Sequence, residues 1–319
     1  MDGVLVMNEV MDLAKREKRS CVVLKVDFEK AYDRVSWNFF RHILKRMGFG
    51  DRWMRWTECC IFTNSLSVLV NGSTTKDFRV EKGLRQGDPL SPFVFVLVME
   101  VLMELMKRSK EIGEFRGFRY KENKEVDLLQ FTDGTIILAE GDTANLWSMK
   151  AILRCFEMMS RLRVNFHKIN LYGINVGDWY LEAASSFLTC KVGTLPFKFL
   201  GVRVGDSPRK LSMWKDLLAM FRKRLNVWRG RYLSMAGRVE LINSVLNAIP
   251  IFSLSFYKAP KKVLQDIKYI QSKFLWGGVD IDKPIHWVIW DTVCKSRKEG
   301  GLGVRNVEIM NVALLSDRT

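Results

Sequence analysis

The spacing of apolar and polar residues changes along the chain in a way that predicts alternating helices and strands over roughly its first 205 residues. Apolar residues at helical spacing cover 4–18, and an alternating pattern follows at 21–28. That alternation predicts a strand that carries Asp27 on its less apolar face, close to its end. Further helices are predicted at 35–47, 52–62, 93–106 and 145–160, and further strands at 65–70, 126–131 and 135–138.

Two dipeptides predict tight hairpin turns. Asn71-Gly72 follows the strand at 65–70 and is the strongest short hairpin signal in the chain. Asp133-Gly134 lies between the predicted strands 126–131 and 135–138. There the expected turn is of type I′, which uses the positive φ that glycine accepts.

From Leu211 onward the pattern is mainly helical, with Leu217, Phe221, Leu225 and Trp228 on one predicted face. Glycine, serine and proline at 205–212 mark a boundary. We therefore expect two regions, 1–208 and 209–319.

The composition gives the chain a large positive charge. The chain has 51 Lys plus Arg against 35 Asp plus Glu, a formal net charge of +16, and 48% of its residues are hydrophobic. A surplus of this size indicates a polyanionic partner, with a generic basic surface as the alternative.

The sequence also argues against several other classes of protein. Six scattered cysteines and three histidines lack the spacing of a zinc site or of a disulfide scaffold. The longest wholly apolar run is 93–99, so no membrane span is expected, and no signal peptide is visible after Met1. We expect a soluble, intracellular protein, without a distinction between nucleus and cytoplasm.

Three segments are highly specific in combination: VDFEKAYDRVSW at 26–37, GLRQGDPLSPFVF at 83–95 and QFTDGTIIL at 130–138. Together they resemble the palm of a reverse transcriptase, most closely that of the LINE-type non-LTR retrotransposons of plants. Similar segments continue to residue 304. The resemblance implies an α+β fold, in which a palm with an antiparallel sheet and packed helices occupies 1–208 and a mainly helical thumb occupies 209–319. With 26 residues before Asp27, the fingers are expected to be largely missing.

The resemblance also implies roles for individual residues. In the intact family, two Mg²⁺ or Mn²⁺ ions serve nucleotidyl transfer and need hard oxygen ligands. Asp27 and Asp133 match the catalytic carboxylates, and the carbonyl of Phe28 is expected beside them as a metal ligand. The residues matched to nucleotide binding are Tyr32, Arg85, Gln86, Gly87 and Lys168.

One position departs from the family pattern at the predicted hairpin tip. The family has two aspartates there, whereas this chain has Asp133 followed by Gly134. If the missing carboxylate costs roughly 3 to 5 kcal/mol of transition-state stabilisation, the rate falls about 10² to 10⁴-fold. Thr132 and Arg161, the latter where the family usually has glycine, are further departures.

Basic and aromatic residues in the helical region predict a surface that follows a nucleic-acid duplex, although each one alone is also compatible with a solvated helix face. These residues are Arg222, Lys223, Arg224, Trp228, Arg229 and Arg231. The expected partners are an RNA template with a DNA primer, or an RNA–DNA hybrid, and a dNTP, but no membrane. Three hypotheses stay open: a catalytically impaired reverse transcriptase domain, a non-catalytic nucleic-acid-binding remnant, and a translated pseudogene product.

Overall fold

The fold is described by a computed structural model that covers residues 2–62, 65–121, 124–131, 134–228, 233–277, 285 and 287–316. The chain divides into two units, Met1–Leu200 and Gly201–Thr319. The sequence predicts the division eight residues later, after residue 208.

The first unit combines one five-stranded sheet with packed helices and several two-stranded ladders. Its strands are β1 (Cys21–Val26), β2 (Phe28–Glu29), β3 (Ser65–Leu66), β4 (Leu69–Val70), β5 (Ser73–Thr74), β6 (Phe78–Arg79), β7 (Phe118–Lys121), β8 (Lys124–Val126), β9 (Leu128–Phe131), β10 (Gly134–Glu140), β11 (Arg163–Val164), β12 (Asn170–Ile174), β13 (Lys191–Val192) and β14 (Phe197–Phe199). Its helices are α1 (Asp2–Arg16), α2 (Ala31–Arg34), α3 (Trp37–Arg46), α4 (Asp51–Thr57), α5 (Ser91–Glu111), α6 (Thr143–Ser160) and α7 (Asp178–Leu188). A π-helical turn at Glu58–Phe62 continues α4.

The main sheet has the strand order β13-β12-β1-β10-β9, and its pairs are antiparallel apart from β12 with β13. The central strand β1 is rich in aliphatic residues and almost entirely buried, as is typical of a strand covered on both faces. Val22, Leu24 and Val26 point into the main core, where they meet buried residues of α5 and α6. The predicted α+β class, with an antiparallel sheet and packed helices, is confirmed.

The two predicted hairpin turns have different outcomes. Asn71 (φ 51°) and Gly72 (φ 84°) connect β4 to β5 with positive φ at both residues, as a type I′ turn requires. At the second hairpin Phe131 pairs directly with Gly134, so the connecting residues are Thr132 and Asp133. Gly134 is therefore the first residue of β10, and it is not among the positive-φ glycines. The prediction of an Asp133-Gly134 turn was wrong, because Gly134 already belongs to β10 and pairs with Phe131.

The second unit is mainly helical, as expected. It contains β15 (Val202–Val204), α8 (Lys215–Val227), α9 (Met235–Leu241), α10 (Ala248–Phe256), α11 (Lys261–Gly277), α12 (Trp290–Val293) and α13 (Val307–Ser316). A π-helical turn at Ile242–Leu246 joins α9 to α10 and is closed by a bond from the N–H of Asn247 to the carbonyl of Ile242 (2.8 Å). Pro250, which has no N–H to donate, lies in the first turn of α10.

The continuous helix Met235–Phe256 is long and apolar enough to cross a membrane, by length and composition alone. No long wholly apolar run marks this helix in the sequence, because Arg238 and Glu240 interrupt the segment. Within the second unit its residues Ile242, Leu246 and Leu254 are fully buried. Asn247 is also fully buried and accepts a hydrogen bond from Nε2 of Gln271 (2.8 Å). These contacts are those of a core helix.

Candidate active site

Asp27 lies at the end of the central strand of the first unit. Val26 of β1 pairs with Thr135 of β10, so Asp27 and Gly134 are the next residues outward on the two neighbouring strands. The carbonyl of Asp27 accepts a hydrogen bond from the N–H of Asn165 (2.8 Å). Its carboxylate Oδ2 lies 3.9 Å from Nζ of Lys168, with side-chain exposures of 45% for Asp27 and 71% for Lys168. The structure thus brings two of the predicted site residues together in a solvated ion pair, which contributes at most about 1 kcal/mol to stability.

Phe28 anchors the backbone next to Asp27. It pairs with Val164 across the β2–β11 ladder. Its ring is buried and meets Phe156 edge to face, with 5.8 Å between ring centroids. The side chain therefore has a packing role, and the expected role of its carbonyl as a metal ligand stays a prediction.

Asp133, the second predicted catalytic residue, lies outside the described residues. Its neighbours in sequence on the described strands are Phe131 and Gly134, which face each other at the end of the β9–β10 hairpin. A Cβ placed on Gly134 would lie 3.3 Å from the carbonyl oxygen of Phe131 and 3.3 Å from Cε2 of Phe199. Phe199 is buried, so the space beside Gly134 is bordered by a packed ring.

The segment 83–87 is fixed against the chain that follows Asp27. The N–H of Leu84 donates to the carbonyl of Tyr32 (2.7 Å), and the N–H of Gly83 donates to that of Val35 (2.8 Å). Nε1 of Trp37 donates to the carbonyl of Gly83 (2.8 Å). Gly83 has a φ of +89°, and a Cβ there would lie 2.7 Å from the carbonyl oxygen of Asp33. Glycine is required at this position by both the backbone conformation and the close approach.

Tyr32 connects this segment to the long apolar helix α5. Its ring stacks on Phe95 with 4.9 Å between centroids and 15° between planes. The fold therefore holds the turn after Asp27, the 83–87 segment and the start of α5 against one another. The role of Tyr32 in nucleotide binding stays a prediction.

A wide groove of about 1420 Å³, here called the arginine groove, lies beside the 83–87 segment. Arg85 and Gln86 line it, and both are exposed. Gly87 has a φ of +91° and open space on the side where a Cβ would be. The predicted nucleotide-binding residues are thus divided between two places, because Lys168 lies at Asp27 while Arg85 and Gln86 lie in the groove.

A family model for reverse transcriptase (RNA-dependent DNA polymerase) matches residues 2–204, which is more than half of the chain. The chain belongs to the reverse transcriptase family. This confirms the resemblance that the three motifs indicated, and the relatives include Pol proteins of non-LTR retrotransposable elements.

Three curated relatives show how the similarity is distributed. The Transposon TX1 uncharacterized 149 kDa protein of Xenopus laevis is 26% identical over 308 residues, 95% of this chain and 22% of that protein. A putative ribonuclease H protein of Arabidopsis thaliana is 40% identical over 101 residues, 32% of this chain and 16% of that protein. A retrovirus-related Pol polyprotein from the type-1 retrotransposable element R2 of Popillia japonica is 26% identical over 163 residues, 50% of this chain and 22% of that protein. The chain therefore spans about a fifth of the length of these relatives.

Among solved structures, apo telomerase from Candida tropicalis is similar with a TM-score of 0.47 and 15% identity, over 99% of this chain and 50% of that one. Telomerase from Candida albicans, in complex with a fragment of telomeric RNA, has a TM-score of 0.47 and 12% identity, over 88% of this chain and 51% of that one.

The described part of this reverse transcriptase domain does not provide the ligands of a two-ion site. No group of three or more His, Cys, Asp or Glu in the described ranges is arranged to hold a metal ion. Asp27 brings one carboxylate, and its ion-pair partner in the structure is the ammonium group of Lys168. A site for two divalent cations needs several convergent oxygen ligands, and the second predicted ligand, Asp133, lies outside the described residues.

The predicted nucleic-acid-binding residues of the second unit separate into two groups. Arg222, Lys223 and Arg224 are exposed on α8, and none of them forms an ion pair with another residue in the described part of the chain. Trp228 is only 8% exposed and packs on Phe274 at 5.2 Å between centroids. Its ring belongs to the core of this unit, and its predicted role in nucleic-acid binding stays a prediction. Arg229 and Arg231 lie outside the described residues.

Two residues near the site escaped the sequence reasoning. Phe199 is 65 positions from Gly134, and no local pattern links the two. Arg161 departs from the family pattern, but the sequence does not indicate that it lines the arginine groove. The signal available for Arg161 was its position directly after a predicted helix, where glycine is the usual residue.

Proposed function

We propose that this chain is a reverse transcriptase palm and thumb that binds an RNA template paired with a DNA primer, and whose nucleotidyl transfer is strongly reduced. The observation that carries the proposal is Gly134 at the strand position next to Asp27, where the family resemblance implies a second aspartate. In the intact family, two Mg²⁺ or Mn²⁺ ions activate the primer hydroxyl and hold the triphosphate of the dNTP. Asp27 would supply one of the oxygen ligands for these ions.

Binding needs charge rather than metal ions. Arg85 in the arginine groove, Lys168 beside Asp27 and the exposed basic group on α8 are available to phosphates. Phosphate contacts supply most of the affinity of a protein for nucleic acid, and they make it dependent on salt. The formal charge of +16 supports the same interpretation.

The test is primer extension on an RNA template with Mg²⁺ or Mn²⁺, with binding measured on the same primer–template over a salt series. We compare the chain with Gly134→Asp and with Gly134→Asp/Asp27→Asn, which restores one carboxylate while removing another. We expect salt-dependent binding by all three and extension by Gly134→Asp alone, while the unaltered chain extends about 10² to 10⁴-fold more slowly.

Rapid extension by the unaltered chain would contradict the assignment of Gly134 as the lesion. Absent or salt-independent binding by a folded chain would favour a translated product without a nucleic-acid role. If all three bind and none extends, the interpretation as a non-catalytic remnant is favoured.

A further inference from the structure

Arg161 has a backbone conformation that is unusual for its residue type. It is the C-cap of α6, with φ 60° and ψ 8°, and its N–H donates to the carbonyl of Glu157 (2.9 Å). Helices very commonly end with a residue in this left-handed conformation, but that residue is usually glycine and sometimes asparagine, because a Cβ is crowded there. An arginine at this position destabilises the helix end, and no compensating local contact is evident in the described part of the chain.

The contacts that the structure describes for the side chain of Arg161 do not explain its presence. It is exposed, and within the described ranges its guanidinium group forms no ion pair with a carboxylate. The acidic residues that line the same groove are Asp33, Glu81 and Asp88. Arg161 is a strained residue with an unpaired charge at the edge of a cleft. Such a residue points to a ligand that is not part of the chain.

The arginine groove shows which ligand chemistry suits that charge. Arg79, Lys82 and Arg85 line it together with Arg161, although these residues come from segments about 75 positions apart in sequence. Phe78, which is 49% exposed, adds an aromatic face. Cations beside an exposed ring are typical of surfaces that hold single-stranded nucleic acid through its phosphates and bases.

We propose that Arg161 contacts a phosphate of a single nucleic-acid strand that runs through the arginine groove. The volume of about 1420 Å³ exceeds the roughly 300 to 1,000 Å³ of ordinary small-molecule pockets, which favours an extended strand over a free nucleotide. The proposal rests on the nucleic-acid binding proposed above and adds a contact that is absent where the family has glycine.

The experiment uses two opposite effects that we expect when glycine replaces Arg161: the protein becomes more stable, and it binds RNA more weakly. Arg161→Gly removes the crowded Cβ and the charge together, while Arg161→Asn removes the charge and keeps a residue that tolerates the left-handed conformation. Thr189→Gly is the matched control, because Thr189 is the C-cap of α7 with φ 58° and does not line the groove. Each full-length variant is titrated into a fluorescein-labelled single-stranded RNA over a salt series, and its urea midpoint is measured.

We expect Arg161→Gly and Thr189→Gly to unfold at higher urea concentration than the unaltered chain. Both Arg161 variants should bind the RNA about fivefold more weakly at 0.1 M salt, with the slope of log K against log salt smaller by about 0.7. Thr189→Gly should bind as the unaltered chain does. Unchanged affinity and slope in Arg161→Asn would overturn the proposal.

Two further measurements separate this inference from the function on which it rests. If Arg222→Gln/Lys223→Gln/Arg224→Gln weakens RNA binding and Arg161→Asn does not, the proposed function stands and the groove assignment fails. If the unaltered chain does not bind RNA at all, both fail. If Arg161→Asn weakens binding of a dNTP but leaves RNA binding unchanged, the ligand is a free nucleotide and the assignment to a strand is overturned.

Discussion

Phe199 lies against Gly134, with Cε2 of its ring 3.3 Å from the point where a Cβ of residue 134 would be. Phe199 is buried, and β14, which contains it, is fixed beside the sheet in two ways. Phe197 stacks on Tyr172 at 4.1 Å between centroids, and Nζ of Lys25 donates to the carbonyl of Lys198 (3.1 Å). A side chain at position 134 must therefore displace a ring that has little room to move.

The first prediction concerns this crowding. Gly134→Asp and Gly134→Ala should each lower the free energy of unfolding by about 1 to 3 kcal/mol, because an added Cβ overpacks the contact with Phe199. The Gly134→Ala variant separates the effect of the added Cβ from the effect of the carboxylate. Urea denaturation of both variants measures the cost.

Combining these changes with Phe199→Leu tests the cause. A double-mutant cycle should give a favourable coupling of at least about 1 kcal/mol between positions 134 and 199. Additive losses in the cycle would show that the crowding arises elsewhere, for example at the carbonyl of Phe131. We also expect Gly134→Asp/Phe199→Leu to extend a primer faster than Gly134→Asp.

A second prediction separates packing from binding in the second unit. Trp228→Ala should destabilise the protein by about 3 to 5 kcal/mol, because it removes a buried ring from its contact with Phe274. Replacing Arg222, Lys223 and Arg224 with glutamine should change stability by less than about 1 kcal/mol and lower the salt slope of duplex binding by up to about 2.7. Denaturation curves and salt titrations of both variants provide the comparison. An unchanged slope in the triple variant would remove α8 from the binding surface.

The third prediction concerns the glycines of the 83–87 segment. Gly83→Ala should cost about 2 to 4 kcal/mol, because the positive φ and the 2.7 Å approach to the carbonyl oxygen of Asp33 both oppose a Cβ. Gly87→Ala is the matched control, with a similar φ of +91° and no neighbouring atom within 4 Å. Its expected cost is about 1 to 2 kcal/mol. Equal losses in the two variants would mean that the contact with Asp33 does not matter.

The fourth prediction concerns pH and cysteine reactivity. Burial raises the pKa of the Cys21 thiol to about 12 and those of the Cys190 and Cys294 thiols to about 11. At pH 8 these thiols are almost entirely protonated, so iodoacetamide should modify the exposed Cys59, Cys60 and Cys155 first. Mass spectrometry of the native protein gives the order of modification. Early modification of Cys21 would contradict its burial.

The same shift links Cys21 to stability at high pH. Its folded pKa is higher than its unfolded value, so the unfolded state loses the proton first, and stability declines as pH rises from about 9 towards 12. The free energy of unfolding of the unaltered chain should therefore fall more steeply over this range than that of Cys21→Ala. Parallel curves for the two proteins would show that Cys21 contributes nothing.

Local sequence patterns predicted most of the elements because each has a local cause. The apolar helix at 93–106 extends from Ser91 to Glu111, with Pro92 in its first turn, and the Asn71-Gly72 turn forms as its residue types require. The second hairpin was misplaced by one residue, because Asp-Gly is a favourable turn in isolation while the observed pairing is that of Phe131 with Gly134. Register depends on the whole sheet, which a dipeptide does not encode.

The candidate site was only partly accessible from the sequence. Asp27 and Lys168, 141 positions apart, were matched through family motifs, and the structure brings them within 3.9 Å. The burial of Trp228 was not foreseen, although its helical spacing with Phe221 placed it on the apolar face. Spacing indicates which residues share a face, whereas the partner that covers the face depends on tertiary packing.

The buried amide groups of the second unit restrict how its most apolar helix can be placed. Oδ1 of Asn247 accepts from Gln271, and its Nδ2 donates to Oδ1 of Asn243 (3.2 Å), whose own Nδ2 donates to the carbonyl of Gly303 (3.0 Å). A slide of one residue along the helix axis would break the hydrogen bonds to Gln271 and Gly303, whose partners lie outside the helix, and leave amide groups without those partners. Hydrophobic contacts alone tolerate such a slide, so these few polar atoms select one alignment among several that bury similar apolar area.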